Sequence, residues 1–427
     1  MSITFLVFFV AITVGVPIAF ALGFAGAAHI LVSGQANLNV LPTIMFGAMD
    51  SFPLLAIPFF ILAGDLMGRS GMLDRLIDFV KALVGPLRGG LAHVTIAAAM
   101  AFGGISGVSL ADCAAIGKAL IPGLVKEGYP RGVAAAITAG SCVMGAIIPP
   151  SVGMLIIAYL YGGKLSIGRL FLSGAIPGIL IGLTQMATVA LMAKRRKFPV
   201  SERSWSLRDV VRTFPPAFLG LGTAVIVIGG IVSGFFTPTE AGAVAVAYAL
   251  VFGSFGGMRL GWRDITRALL DSAKLSGVVF IMVAASQVLS WLLVINMIPQ
   301  QLGPMLQPFI RSPETFLLAV MVLIILLGFP LEGVPIMIML VPVAAPLAPL
   351  FGVEPHHLAL VILMSAQFAI LTPPVALAVF MVAPIAGCSL TEATVEMLPY
   401  AGCILLVTLA VIFVPALSQW LPRLVGY

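Results

Sequence analysis

Charge is what this 427-residue chain has least of: 9% of its residues are Asp, Glu, Lys or Arg, against 61% hydrophobic, and the mean hydropathy is +1.17. A soluble domain carries roughly a quarter of its residues as charges, so a soluble partition of core and surface is excluded and the chain reads as an integral membrane protein. Cysteine is scarce too. Cys113, Cys142, Cys388 and Cys403 lie scattered in apolar sequence without paired spacing, which points to neither a disulfide frame nor a zinc site. There is no Ser-His-Asp arrangement, helical HExxH or phosphate loop, so the chain is not expected to be an enzyme, to use ATP or to hold a transition metal. The adjacent His356 and His357 cannot share a helix face and fit a loop or helix start. Period-two alternation is missing, which excludes a membrane β-barrel. The basic segments lack aromatic interleaving and a soluble domain, so no nucleic acid is expected as a partner.

What is present is long apolar sequence. The run "ITFLVFFVAITVGVPIAFALGFAGAAHILV" exceeds the roughly 20 residues of a bilayer crossing and reads as the first transmembrane helix, since it has no basic leader or short apolar region of a secretory signal. Chain length suggests about ten to twelve spans. Basic residues cluster from Lys194 ("KRRKFPVSERSWSLRDVVR"), from Arg69 and from Arg259, and by the positive-inside rule these segments are cytoplasmic. Trp205, Trp262, Trp291 and Trp420 read as interfacial anchors, and "RLGWRDITRALLDSAK" as an amphipathic helix on the cytoplasmic surface or a contact for another subunit. The linker 194–214 divides the chain into halves, 1–193 and 215–427.

The halves share a register. Sliding by 224 residues puts Gly104 on Gly328, Pro122 on Pro346, Gly128 on Gly352, Ser141 on Ser365, and Pro149-Pro150 on Pro373-Pro374. Gly and Pro set backbone shape, so what the halves share is a pattern of interruptions. Inside a bilayer an interrupted backbone must be buried or line a wet cavity, and transporters use such breaks near the midplane to hold ions and substrates. Each half has two: "FGGISGVSLADCAAIG" from Phe102 and "GAIIPPS" from Gly145, then "GFPLEGVP" from Gly328 and "AILTPPV" from Ala369. Ser106, Ser109, Asp112, Ser151, Glu332, Gln367 and Thr372 gather there. Their hydroxyls, carboxylates and freed carbonyls suit a hard cation such as sodium. Asp112 and Glu332 are ionisable groups in apolar surroundings, where a functional role is the default and a structural anchor or cap the bland alternative. Asp65 is placed to pair with Arg69 at i, i+4, and Glu240 in "TPTEAG" to support a helix start at Thr237 or Thr239.

In its motifs the chain resembles the large membrane subunit of the tripartite ATP-independent periplasmic (TRAP) transporters. The likeness rests on "FPLLAIPFFILAGDLM", "GGISGVSLADCAAIG", "GAIIPPS", "FFTPTEAGAVAVAYAL", "GFPLE" and "LTPPVALAVF", in that order along the chain. It implies an all-α protein of a bacterial or archaeal cytoplasmic membrane, with two inverted-topology repeats, discontinuous helices and two re-entrant hairpins forming a scaffold and an elevator-type transport domain. It further implies sodium-coupled import of an organic acid such as a C4-dicarboxylate or sialic acid, with a periplasmic substrate-binding protein and a small four-helix membrane subunit as partners. No organic cofactor is implied; Na⁺ is the coupling ion. By matched position the first sodium site comprises Ser106, Ser109, Gly145, Ile148 and Pro150, and the second Gly328, Glu332, Ala369, Thr372 and Pro374. Val108, Asp112, Ser151 and Gln367 are the substrate candidates. Two departures stand out: the family commonly has "GISGSS" where Val108 interrupts the serines, and "TPPVG" where this chain has Ala376. The alternatives are a stand-alone sodium–anion symporter and a non-coupling scaffold or channel subunit.

Overall fold

The computed structural model describes residues 2–34, 36–196, 198–199, 205–255, 260–329, 331–373 and 376–427. Among the described residues the chain is all-helical. Its first five α-helices are α1 (Ser2–Thr13), α2 (Ile18–Ser33), α3 (Val40–Met49), α4 (Ala56–Arg69) and α5 (Met72–Val84). The apolar N-terminal run is therefore two helices, not one span. Gly15, with φ of +89°, and Pro17 break it, and α2 packs back on α1, where the Thr4 hydroxyl meets His29 Nδ1 at 3.0 Å. A left-handed glycine followed by a proline stops a helix however apolar its flanks are.

Next come α6 (Gly90–Ser106), α7 (Ser109–Lys126), α8 (Arg131–Cys142), α9 (Val152–Leu160) and α10 (Ile167–Arg195). The helices α11 (Leu207–Val232), α12 (Pro238–Phe255), α13 (Trp262–Ile295) and α14 (Ile298–Leu306) follow. The last six are α15 (Pro313–Leu327), α16 (Gly333–Ala344), α17 (Pro355–Leu371), α18 (Leu377–Ala386), α19 (Leu390–Phe413) and α20 (Ala416–Val425). Among the described residues, five helical stretches are long and apolar enough to cross a membrane unaided: Phe52–Arg69, α10, α11, α13 and α19. The segment "WRDITRALLDSAK" is not a separate surface helix. It is the first third of α13, because nothing between Trp262 and Ile295 breaks the backbone.

The centre of the molecule is formed by α8 and α17. Every residue of α8 after Arg131 is buried, and α17 is buried from His356 to Leu371 except at Phe368. A helix that is apolar all round has no polar face to turn outward, so these two sit inside a shell of other helices. Both end in interruptions: α8 in a 3₁₀ turn and the Pro149-Pro150 pair before α9, and α17 at Thr372 before α18. Exposed Leu183, Leu191, Val225 and Leu406 on the long helices suit contact with lipid.

The five helices from α6 to α10 are matched by α15 to α19, whose first residues follow theirs by 223 to 225 positions. The helix pairs α6–α7 and α15–α16 turn back at Gly107-Val108 and at residues 328–332, of which Pro330 lies outside the described residues. Opposite ends of α10 meet the bases of these two hairpins. At its N-terminal end Arg169 pairs with Glu354 at 3.4 Å, just before α17. Beyond its C-terminal end Arg196 pairs with Glu396 at 2.6 Å, and Gly89 N–H, at the foot of α6, donates to Pro199 at 3.1 Å. Twenty-nine residues of helix separate those ends by about 43 Å.

Candidate ion and substrate site

The tip of the first hairpin lies directly on the Pro-Pro break. Gly107 closes α6 with φ of +67°, and its carbonyl accepts from Val152 N–H at 3.2 Å. A Cβ on Gly107 would stand 2.5 Å from the Pro150 oxygen, and one on Gly103 would stand 2.7 Å from the Gly145 α-carbon. The "GGISG" glycines are thus spacers that let two backbones touch. Among the described residues no hydrogen bond reaches the Ile148 or Pro150 carbonyl. The Pro150 oxygen lies against the tip, and carbonyls freed by a break are what a hard cation takes as ligands.

The side chains add to this. Ser106 donates its hydroxyl proton to Asp112 Oδ1, and its oxygen accepts from Val108 N–H at 3.3 Å. Ser109 donates to Gln367 Oε1 at 2.8 Å and lies 3.3 Å from the Val143 carbonyl, tying the tip to α17 of the other half. Ser151 caps α9 through Met154 N–H at 3.2 Å and donates to the Ala146 carbonyl. Ser106, Ser109, Gly145, Ile148 and Pro150 therefore lie together where the hairpin tip meets the break.

The second set assembles less completely. Gly328 lies against Ala369, so closely that a Cβ on it would collide with the Ala369 methyl. Thr372 donates to Phe368 at 2.9 Å, within its own helix end. Pro374 lies outside the described residues. Glu332 stands at the N-cap of α16 with an exposed side chain that makes no capping bond. Ala376, which stands where the family commonly has glycine, has φ of +38°.

Beside the first tip is a cavity of about 250 Å³ bounded by Gly64, Arg69, Ser106, Val108, Ala111 and Ser272, with Asp65 and Asp271 on its wall. Val108 is the substrate candidate that lines it; Asp112, Ser151 and Gln367 are buried in the contact between hairpin and break. The i, i+4 spacing predicts Arg69 as a cytoplasmic-edge partner of Asp65. That pair exists at 2.9 Å, but Arg69 also bridges to Asp271 at 2.8 Å and so holds α4 to α13 at the cavity wall. The i, i+4 spacing showed the first contact; nothing local signals a partner 202 residues away. The buried Ser272 hydroxyl on the same wall has no hydrogen-bond partner among the described residues. Other expectations hold: Glu240 accepts from Thr237 N–H and hydroxyl at 2.8 Å, and the paired histidines open α17, His356 facing Glu354 and His357 facing Ser418.

Helix breaks that face each other inside a shell of long apolar helices define a multi-pass membrane transport protein, and a likeness of fold agrees. The solved structure of the Alcanivorax borkumensis YdaH transporter superposes with a TM-score of 0.58 over 90% of this chain and 89% of that one, at 16% identity. The family model of the tripartite ATP-independent periplasmic transporter, DctM component, matches residues 5–417, and the chain belongs to that family. It is 35% identical to the C4-dicarboxylate TRAP transporter large permease protein DctM of Pseudomonas aeruginosa over 95% of this chain and 94% of that protein. It is 34% identical to the sialic acid TRAP transporter large permease protein SiaM of Vibrio cholerae, covering 97% and 96%. The chain is thus a transporter permease, not an enzyme, and one component of a three-component system.

Proposed function

We propose that the chain imports an organic carboxylate by a sodium-driven elevator movement, taking the anion from a periplasmic binding protein and working with a small four-helix membrane subunit in the cytoplasmic membrane. The observation that carries this is the contact of the first hairpin tip with the Pro149-Pro150 break, where hydroxyls and unpaired carbonyls face one another. Two relatives whose names carry a C4-dicarboxylate and sialic acid share carboxylate chemistry, which supports a carboxylate here. The matched starts of α6–α10 and α15–α19, with hairpin bases at opposite ends of α10, support two inverted repeats. The basic residues at Lys194, Arg195 and Arg196 support a cytoplasmic position for that end of α10. On this reading α6–α10 and α15–α19 carry the ion and substrate, and α4, α11, α12 and α13 belong to the scaffold. Arg69, held by Asp65 and Asp271, joins α4 to α13 at the wall of the cavity between them.

Proteoliposomes test this. Uptake should require the binding protein, the small subunit and a sodium gradient, and should collapse when choline or potassium replaces sodium. Undiminished uptake without sodium would remove the coupling ion, and uptake by this chain alone would favour a stand-alone symporter.

A further inference from the structure

The helices α6–α10 meet the scaffold in two unlike ways. At the first hairpin tip the contact is backbone on backbone: a Cβ on Gly64 of α4 would stand 2.9 Å from the Ser106 α-carbon, and Gly68, Ala111 and Ala115 beside them are as small. No hydrogen bond joins this tip to α4 among the described residues. Such contacts are non-directional and individually weak, so they set no fixed register between the surfaces. At α9 the contact is directional. The Tyr159 hydroxyl donates to the Ala48 carbonyl at 2.5 Å, tying α9 to α3, which packs on α13 of the scaffold. The last carbonyls of a helix have no partner within it. In α3 the Phe46 oxygen accepts from Asp50 N–H, the Met49 oxygen from Ser51 N–H, and the Ala48 oxygen from the tyrosine. Beside this bond lies a cavity of about 500 Å³ bounded by Ser51, Tyr159, Gly162, Gly163, Ile167 and Gln287.

Resting on the elevator reading above, we infer that Tyr159 is a latch that holds the carrying helices in the position seen here. Ile167 opens α10 at the end opposite the basic residues from Lys194, so the cavity at Tyr159 lies toward the periplasm and the one at Arg69 toward the cytoplasm. The first hairpin tip stands at the cytoplasmic cavity, which makes this the cytoplasm-facing position. Movement of α9 toward the periplasm parts the hydroxyl from the carbonyl, and the cavity beside them lets water and the Gln287 amide take up the freed groups. A hydrogen bond exchanged in this way has a modest net worth, enough to bias one position without freezing it. The small-residue contact at the tip slides, and the tyrosine sets where the slide rests.

The test uses the full chain in nanodiscs, spin-labelled at Lys164→Cys, just before α10, and at Asn39→Cys, the N-cap of α3, both exposed. Pulsed electron paramagnetic resonance then reads the distance between the labels, one distance for each position of the carrying helices. Tyr159→Phe removes the hydroxyl and keeps the ring, so the share in the periplasm-shifted position should rise about two- to tenfold, the ratio that one net hydrogen bond supports. Replacing Tyr159 by 3-fluorotyrosine, a stronger donor of nearly the same shape, should move the proportion the opposite way, and it decides the matter if the phenylalanine variant does not fold. A tyrosine that only caps α3 would lower the melting temperature on substitution and leave the proportion of the two distances as in wild type, which would overturn the latch and leave the elevator standing. A single distance in wild type and variants alike, in sodium, in choline and with succinate added, would sink the elevator reading and the latch with it.

Discussion

The two breaks carry the same punctuation and different chemistry. At the first, Ser106, Ser109, Asp112 and Ser151 are all buried and bonded to one another, to the break or to Gln367. At the second, Thr372 serves its own helix end, Glu332 is exposed, and Ala376 holds a left-handed backbone that favours glycine. Glycines and prolines in register thus accompany helix interruptions at matching places, while the side chains around them differ. The first break is a tightly determined site and the second a looser one.

Substitutions that compare the two sites sharpen this, beginning with the largest effect. Gly145→Ala drives a methyl into the Asp112 carboxylate and should cost about 1–3 kcal/mol of stability and most of the uptake, whereas Gly328→Ala, whose methyl meets the Ala369 methyl and the Ala369 and Ile325 backbone, should cost a similar amount of stability and less of the uptake. Equal losses of uptake would show the two breaks to be equally exacting. Next, Ser106→Ala strips Asp112 of its one hydrogen bond and should cost about 1–3 kcal/mol, against about 0.5–1.5 for Thr372→Ala. Sodium activation curves should rank the two in the same order.

Two restorations toward the family pattern should stabilise. Val108 occupies the N-cap of α7 with extended backbone and no side-chain acceptor, so Val108→Ser should gain about 1 kcal/mol by capping the first turn. Ala376→Gly should gain about 1 kcal/mol by relieving a left-handed alanine. Thermal melts of each variant measure both gains. If the first gain appears and the second does not, the strain assigned to the second break is absent.

The smallest effect lies at the foot of the second hairpin. Burial opposes ionisation of Glu354, but hydrogen bonds from His356 and from His357 N–H overcome it and hold the carboxyl at about 2, below its ordinary 4.5. Because the folded value is depressed, the stabilisation is complete above pH 4.5 and is lost as pH falls toward 2. The melting-temperature gap between wild type and Glu354→Gln should be constant from roughly pH 7 to roughly pH 5 and shrink below that. A gap that widened on acidification would reverse the sign of this contact.

Much of the fold was legible because apolar length, basic clusters and Gly-Pro punctuation are local properties that the chain carries along its sequence. All four breaks, the register of 224 and the Thr237–Glu240 turn could be read that way. The N-terminal run was misjudged because its composition outweighed one glycine and one proline. At the start of α13, charge suggests a surface helix or a contact for another subunit, and the unbroken backbone rules out a separate helix.

By itself, then, the sequence determined an all-helical membrane protein with paired interruptions, since backbone geometry at Gly and Pro and the cost of placing charge in lipid act residue by residue. Only the tertiary structure decided which interruptions touch, that Ser109 reaches Gln367 across 258 residues, that Arg69 joins Asp271, and that Asp112 lies buried against Gly145 instead of lining the cavity. Such contacts depend on how α8 and α17 are enclosed, and that is settled by packing among all the helices at once.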